Sequence, residues 1–563
     1  MSSLHEFTQL LESFERYLGN PDNQQNLINW QQILMDDEQE QLPWPQIKHI
    51  QQWGFMDYLV PSHLGGTLNS LVDLFGLAKV IARRDVTLSV ALGLTFFAAL
   101  PVWLAGDEAQ QKKLAKRIRE GQISAFALTE QDHGSDLVAN EFCANKIEGG
   151  WKLSGEKWCI NFATFSETVT LLCRTHSKGG LLGFSLFFLD KSALGSSCSY
   201  LPKLLTHGVR GLDISGLTLE NVEIPKENII GKEQRGLEVT AKSFQISRTL
   251  LAGIALGGAD AALRLAVDFS LQRHLYGKAA FAIPVVQQRL GEQFTQLLLA
   301  ECTSLVVVRA CSVLPRQMSL WSAIIKYLIP KISEDIVEQS AVIVGARAYL
   351  RTTEYAVLQK IRRDVQVVGL FDGSSQVNLS LIAGNLVPQA QKRGSTLEAP
   401  TLKIKELFQM DSLCKPFTRP DLSLFLHEED LIFAHLAYLD VERINPLIHA
   451  IRSEIQRLDQ TVLSLHEKKR FDPKSLAAFD LAEQYCWLFA ASCCLHFWYY
   501  NQDVLTDELK SLDWVNLAIQ MILKKLRAAP ILDSSLQESM AKHLCHYHQK
   551  NLMFSVVPVQ LAE

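Results

Sequence analysis

The hydrophobic period of this chain changes twice, and those two changes limit what it can fold into. Residues 1–124 repeat apolar side chains at three- and four-residue intervals, as in LVDLFGLAKVIARRDVTLSVALGLTFFAALPVWLAG, the spacing of helices. A Pro- and Gly-containing loop, YLVPSHLGGTLNS (58–70), interrupts them. From about 125 the runs shorten: GWKLSGEKWCI, SETVTLLCRT, GFSLFFLD and LDISGLTLENVEIP are β-rich and divided by Gly, Asn, Asp and Pro. From 235 the helical spacing returns. The order predicts an α+β fold, mainly α: an N-terminal helical domain (1–124), a middle antiparallel β-barrel or sandwich (125–234), a helical bundle (235–390), and a linker with an extra helical C-terminal domain (391–563).

Within the bundle, RTLLAGIALGGADAALRLAVDFSLQRHLYGK (248–278) stacks Ala and Gly along one side, as close helix packing requires. Two further long helices are predicted at 285–313 and 319–358. The stretch VPQAQKRGSTLEAPTLK (387–403) has linker composition, and NVEIPKENIIG is expected to close the β domain. Beyond it, Pro416, Pro420, Pro446, Pro473 and Pro530 punctuate the helical sequence.

A net charge of −5 gives no broad basic surface, so nucleic acid is not an expected partner. Basic clusters such as QKKLAKRIRE (111–120) are expected to be solvated helix faces. Eleven cysteines without C-x-x-C spacing suit reduced, mostly buried thiols rather than a metal site. The N-terminus carries three glutamates among its apolar positions, unlike a signal or transit peptide. The apolar run YCWLFAASCCLHFWYY (485–500) is taken as the longest and falls short of the roughly 20 residues of a membrane span. These features predict a cytoplasmic protein with no transmembrane segment. The run itself is expected to be a buried helix, the alternative being a membrane-surface or partner-binding face.

Four strings carry chemistry. AFALTEQDHGSDL (125–137) delivers Thr129 and Glu130 into a Gly-Ser-Asp turn, where Thr129, Ser135 and backbone N–H groups could bind a heterocycle and a phosphate. Taken alone it is an ordinary strand-to-turn connection. LSGEKWCINFA (153–163) presents Trp158, Ile160 and Asn161, a pattern as suited to a core as to a cofactor wall. LQRHLYGK (271–278) ends a helix with Arg273, which could reach a pyrophosphate, and Tyr276, which could stack on a flat ring. VVGLFDGSSQVN (367–378) places Asp372 in a polar turn between apolar runs.

In this order the strings resemble the acyl-CoA dehydrogenase family of flavoproteins. That family reads A-[FY]-x-[LV]-T-E-x-x-x-G-S-D, G-x-K-x-W-I-T-N, a helix Arg followed by R-x-x-F-G-K, and Y-E-G-[TS]-x-Q. The counterparts are AFALTEQDHGSD, GEKWCIN, Arg248, RHLYGK and LFDGSSQ. The similarity spans about residues 30–390, and the remainder resembles only longer members with an added helical segment. The resemblance implies FAD-dependent α,β-dehydrogenation of an acyl thioester, carried on CoA or an acyl carrier protein, with an electron-transfer flavoprotein or oxygen as electron acceptor. It implies a homodimer or homotetramer in which a neighbouring subunit completes the flavin site. Phe126, Leu128 and Thr129 would line the flavin, Ser135 would lie near its phosphates, and Ile160 and Asn161 would back the ring. Arg273 and Tyr276 would reach a partner's FAD, with Ser374 and Gln376 near its adenosine end. Arg248, with Ser135 and Phe371, would position the thioester, and Asp372 would be the base that takes the α-proton.

Departures from the pattern leave two other readings open. The family's base is a Glu, and the Glu that a subgroup carries before the helix arginine is Ser247 here. An Asp withdraws the carboxylate by about 1.5 Å. The nitroalkane oxidases use an aspartate at this place, so an oxidase of that type is the second reading. Trp-Ile-Thr-Asn becomes Cys159-Ile160-Asn161-Phe162, and Pro284, Val342 and Ala346 replace a Gln, a Gln and a Gly. His133 is taken as a loop histidine. A non-catalytic scaffold acting through the C-terminal segment is the third reading.

Overall fold

A computed structural model describes residues 4–177, 179–395, 401–412, 416–527 and 532–563. Six helices come first: α1 (Leu4–Leu18), α2 (Trp30–Glu38), α3 (Trp44–Gln52), α4 (Leu71–Ala82), α5 (Val86–Ala105) and α6 (Glu108–Arg119). Asn29, Ser70, Asp85 and Asp107 cap α2, α4, α5 and α6 with side-chain acceptors, which is why those helices start where they do. The basic residues Lys112, Lys113 and Lys116 of α6 face solvent, as expected.

Eight strands follow: β1 (Ser124–Ala127), β2 (Cys143–Ile147), β3 (Gly150–Asn161), β4 (Thr168–Arg174), β5 (Phe184–Asp190), β6 (Cys198–Leu201), β7 (Ile214–Pro225) and β8 (Ile229–Ile230). Their order is β6-β7-β3-β2-β4-β5-β8, with β1 beside β4. The sheet is not wholly antiparallel as expected: β1 and β2 both pair parallel with β4. The chain enters β1 from α6 and reaches β4 only after the β2–β3 hairpin, a crossover long enough for parallel pairing. β8 follows β7 by a short turn yet pairs with β5 at the far end of the order, so NVEIPKENIIG does link the two ends. The domain has its own core of Trp151, Leu153, Ile160, Leu171, Phe187 and Leu217 among others.

The bundle comprises α7 (Gly236–Gln272), a small hairpin of β9 (His274–Leu275) and β10 (Lys278–Ala279), α8 (Pro284–Val313), α9 (Met318–Val344), α10 (Ala356–Val365) and α11 (Ser375–Lys392). The predicted helix over 319–358 ends at Val344, because Gly345 takes φ 69° and a 3-10 turn follows. The linker expected from 387 is still helix as far as Lys392, and residues 396–400 lie outside the described residues. The small side of α7 does its predicted work. A Cβ at Gly257 would stand 2.5 Å from the Lys79 carbonyl of α4, and one at Gly258 would stand 2.6 Å from Val365 of α10.

The last segment holds α12 (Thr401–Phe408), α13 (Leu431–His435), α14 (Asn445–Glu467), α15 (Leu476–Tyr500), α16 (Asp507–Lys510), α17 (Asp513–Arg527) and α18 (Ser534–Gln549). Pro446 starts α14 rather than breaking a helix, and Pro530 lies outside the described residues. α15 is buried from Tyr485 to Trp498 against α8, α11, α14 and α17, which is the buried-helix reading of that run. The chain end then crosses back over the bundle. Phe554 and Val556 donate their N–H groups to Asp260 and Glu301 at 2.8 Å each, and those carboxylates also pair with Arg83 and Lys79 of α4.

Contrary to expectation, 485–500 is not the longest apolar stretch. Val86–Ala105, Gly236–Gln272 and Pro284–Val313 are each long and apolar enough to cross a membrane, and their most apolar windows are 78%, 94% and 94% buried inside the protein. Leu, Val, Ile, Phe and Ala carry that hydropathy, while scattered Ser, Thr and Gly residues interrupt any continuous apolar run.

Candidate active site

The turn that carries Asp372 is built by two residues in left-handed backbone. Asp372 has φ 55° and Gly373 φ 93°. A short polar Asp tolerates this region better than longer residues, and glycine tolerates it freely. Gly373 is required for a second reason: a Cβ there would lie 2.7 Å from an amine of Arg248. Arg248, on α7, packs over the Phe244 ring at 5.1 Å and donates its Nε–H to the Asp372 carbonyl at 2.8 Å. Asn378 of α11 donates to the carbonyls of Gly373 and Ser374 at 2.9 Å, tying the turn to the helix it starts.

The carboxylate itself is differently treated. Asp372 as a residue keeps some surface, but its Oδ2 is enclosed and has no hydrogen-bond partner among the described residues. Burial pushes its acid above the ordinary carboxylate range, opposed by the Ser247 hydroxyl and the cations of Lys326 and Arg248. Ser247 Oγ stands near but is itself buried without hydrogen-bond geometry to any partner. Burial lowers Arg248 to about 10, with Asp372 acting in the other direction. The structure therefore presents an acid whose acceptor oxygen is dry and unspent beside two cations.

Lys326 was not a candidate from the sequence. It is a lone basic residue in the apolar run LWSAIIKYLIP of α9, and its ammonium lies 5.7 Å from the centre of the Phe371 ring.

The other wall belongs to β1 and β3. Phe126 and Leu128 come off β1, and Thr129 is locked to β3 by the Trp158 N–H donating to its carbonyl at 2.9 Å. The Leu128 carbonyl accepts from Asn140 at 2.6 Å and from Lys157 Nζ at 2.9 Å. Lys157 also donates to Glu130 at 2.8 Å, and Glu130 accepts the N–H groups of Glu141 and Phe142. Burial raises Glu130, but Lys157 and these amides outweigh it and hold the acid below its usual range. Lys157 moves down because its burial exceeds what Glu130 returns.

Ile160 and Asn161 sit on β3 beyond a bulge, where the register shifts between Trp158 and Ile160 and Cys159 takes φ 58°. The Trp158 displacement by one place is thus absorbed at Cys159, whose side chain is exposed. Ile160 is buried, Asn161 half-buried, and Ser135 lies on an exposed turn.

Arg273 and Tyr276 do not join this site within one chain. They follow Arg248 by 25 and 28 residues, with Arg273 just past the C-terminal end of α7, about 37 Å along the helix at 1.5 Å per residue. Tyr276, at φ 52°, is 94% exposed, and Val342 is 64% exposed. Ser374 caps α11 without a side-chain hydrogen bond, and Gln376 is exposed on its first turn.

The chain matches three family models in sequence: acyl-CoA dehydrogenase N-terminal domain over residues 30–122, middle domain over 125–222 and C-terminal domain over 234–387. It is 27% identical over 363 residues to the caffeyl-CoA reductase-Etf complex subunit CarC of Acetobacterium woodii, covering 63% of this chain and 93% of that one. An acyl-CoA dehydrogenase from Bacillus anthracis, solved with FAD, shares the fold over 97% of this chain and 98% of its own at a TM-score of 0.76 and 17% identity. The prolyl acyl carrier protein oxidase AnaB shares it over 68% of this chain and 98% of its own at a TM-score of 0.61 and 21% identity. The three models together match more than half of the chain, in the order its helical and β segments follow, and the chain belongs to the acyl-CoA dehydrogenase family.

Proposed function

We propose that the protein is an FAD-dependent oxidoreductase that removes two hydrogens from the Cα–Cβ bond of an acyl thioester, with Asp372 as the base. The observation that carries this reading is the enclosed, unpartnered Oδ2 of Asp372, held beside Arg248 and Lys326. The residues assigned to FAD fit it chemically. Among the described residues, the side chains of Thr129, Ser135, Asn161, Arg273, Ser374 and Gln376 make no hydrogen bond within the chain, leaving hydroxyls, amides and a guanidinium for a ligand rich in acceptors. When bound, FAD supplies the acceptor for the hydride that leaves the β-carbon. Asp372 Oδ2 takes the α-proton, Arg248 holds the turn from which it acts, and the enclosure of that oxygen keeps water from it.

The acyl group arrives as a thioester of CoA or of a carrier protein, the chemistry named for the two kinds of relative above. Electrons then pass to an electron-transfer flavoprotein or oxygen. The distance between Arg248 and Arg273 supports a homodimer or larger assembly, in which Arg273 and Tyr276 serve a neighbour's flavin. A reducing, cytoplasmic setting is consistent with the ten described cysteines, all of them free thiols. The aspartate in place of glutamate supports a second reading, oxidation of a small acidic C–H compound such as a nitroalkane.

The test is anaerobic titration of the purified holoenzyme. Bleaching of the flavin by saturated acyl-CoA or acyl carrier protein thioesters supports the first reading. Bleaching by nitroalkanes alone replaces it with the second, and a protein that takes up no flavin defeats both.

A further inference from the structure

The turn that presents Asp372 is pinned from α9 by one buried cation. Lys326 is 1% exposed, and its Nζ donates to the carbonyl of Val368. Val368 belongs to the 3-10 turn Gln366–Gly369, which ends three residues before Asp372. The contact is part of a continuous seat. Pro330 lies one turn along the same face of α9, and a Cβ at Gly369 would meet Glu334 Oε1 at 3.1 Å and Pro330 Cβ at 3.8 Å. Pro330 also lacks the N–H that would bond the Lys326 carbonyl, so α9 is one backbone hydrogen bond short where it receives the turn.

The charged groups around Lys326 come from three elements. Asp372 faces it from the turn, Arg248 from α7 and Glu334 from α9, with the Phe371 ring beneath its ammonium. Burial pushes Lys326 down to about 8, opposed first by Asp372, while burial pushes Glu334 up and Lys326 opposes that. Two buried cations, Lys326 and Arg248, thus face two partly buried carboxylates. Arg248 spends its Nε–H on the peptide carbonyl of Asp372 and not on the acid. A carboxylate so enclosed takes up a proton unless a second positive charge sits close by.

We propose that Lys326 is a positioning residue for Asp372: its ammonium anchors the turn through Val368 and keeps the enclosed carboxylate ionised. The inference rests on the reading of Asp372 as the base. It assigns to α9 a part in the proposed reaction that no string in the sequence suggested, and it gives the short, buried acid a counter-charge that favours its proton-accepting form.

The test uses Lys326→Met, Lys326→Gln and Lys326→Arg in the flavin-loaded full chain. Lys326→Gln keeps a donor for Val368 and loses the charge, so it stands in for Lys326→Met if that variant does not fold. In the uncharged variants the acidic limb of the kcat/KM profile with acyl-CoA should move up by about one pH unit. Their kcat should fall about 10–100-fold with KM changing less. Lys326→Arg should return the limb to its original position. A second reading needs no turnover: the infrared C=O stretch of a protonated carboxyl that Asp372→Asn removes should titrate at higher pH in Lys326→Gln. A limb and a carboxyl band unmoved by loss of the charge overturn the proposal. Failure of every substrate to reduce the flavin would defeat the dehydrogenase reading alone, because the infrared band still decides whether Lys326 controls Asp372.

Discussion

Arg248 grips the backbone of Asp372, not its acid: the Nε–H meets the Asp372 carbonyl at 2.8 Å while Oδ2 has no partner. A cation bonded directly to the carboxylate would lower its basicity and occupy the oxygen the reaction needs. Gripping the peptide fixes direction without that cost. Arg248→Lys keeps the charge but loses the planar fork and the stacking on Phe244. We expect kcat/KM to fall about 10–100-fold, from a displacement near 1 Å, with flavin content retained. Steady-state kinetics beside the flavin absorption spectrum checks this, and an unchanged rate would show that the turn is held by other contacts.

Gly373 makes that grip geometrically possible. Its φ of 93° disfavours any side chain, and a Cβ would lie 2.7 Å from the guanidinium. Gly373→Ala should therefore cost about 1–2 kcal/mol from backbone strain alone. It should also move Arg248 and reduce turnover. Denaturant melts of the two proteins give the first quantity, and activity gives the second.

The burial of Asp372 fixes two pH dependences. As the proposed base, Asp372 acts only when ionised, so activity should be lost as pH falls through an apparent pKa above the usual carboxylate range. The sign for folding is opposite. An acid whose folded pKa is raised contributes stability below its unfolded value of about 3.9, and that contribution is lost as pH rises through the folded value. Asp372→Asn, which imitates the neutral form, should gain stability at neutral pH and none in acid while losing flavin reduction. Melts at both pH values test the pair of claims together, and equal stability of the two proteins at neutral pH would contradict the burial argument.

The Glu130–Lys157 pair supports the opposite wall. Lys157 is fully enclosed and reaches both Glu130 and the Leu128 carbonyl. Lys157→Met leaves Glu130 with its two backbone amides but without a counter-charge. The expected loss is about 3–5 kcal/mol, since it strands a buried charge. The damage should grow at neutral pH and shrink in acid, where Glu130 is protonated. Loosening Leu128 and Thr129 should also weaken flavin retention, measured by the absorbance released on gel filtration.

Local pattern revealed much of this architecture because period and turn chemistry are short-range properties. The helix–sheet–helix order, the close-packed side of α7 and the Asp372 turn were legible from spacing and from motif order. Pairings that depend on distant residues were not. Glu130 and Lys157 are 27 positions apart, and nothing in either string marks them as partners. Lys326 reads as a polar break in an apolar helix until the Val368 carbonyl, 42 positions away, is seen to accept its hydrogen bond. The parallel pairing of β1 with β4 likewise follows from where α6 delivers the chain rather than from the strands themselves. Long apolar helices were undercounted because isolated polar residues, such as Thr95 in α5 and Thr303 in α8, interrupt the apolar run while Leu, Val, Phe and Ala keep the whole helix apolar.

The separation of Arg273 from Arg248 leads to a prediction about assembly. Arg248, which holds the Asp372 turn, lies twelve residues into α7, and the helix runs on about 37 Å to Arg273 and the exposed Tyr276. Arg347 stacks on Phe269 at 5.8 Å, which brings the exposed 3-10 turn Gly345–Tyr349 beside the same end of α7. Tyr276, Val342 and Tyr349 are large apolar side chains left in water there, an arrangement that favours cover by a second copy. The native protein should sediment as a dimer or larger, and Tyr276→Asp with Val342→Lys should shift it toward monomer. If the far end of α7 completes a neighbour's flavin site, the same double variant should release flavin as it dissociates. A monomer that keeps its full flavin complement would place the whole cofactor site within one chain and remove Arg273 and Tyr276 from it.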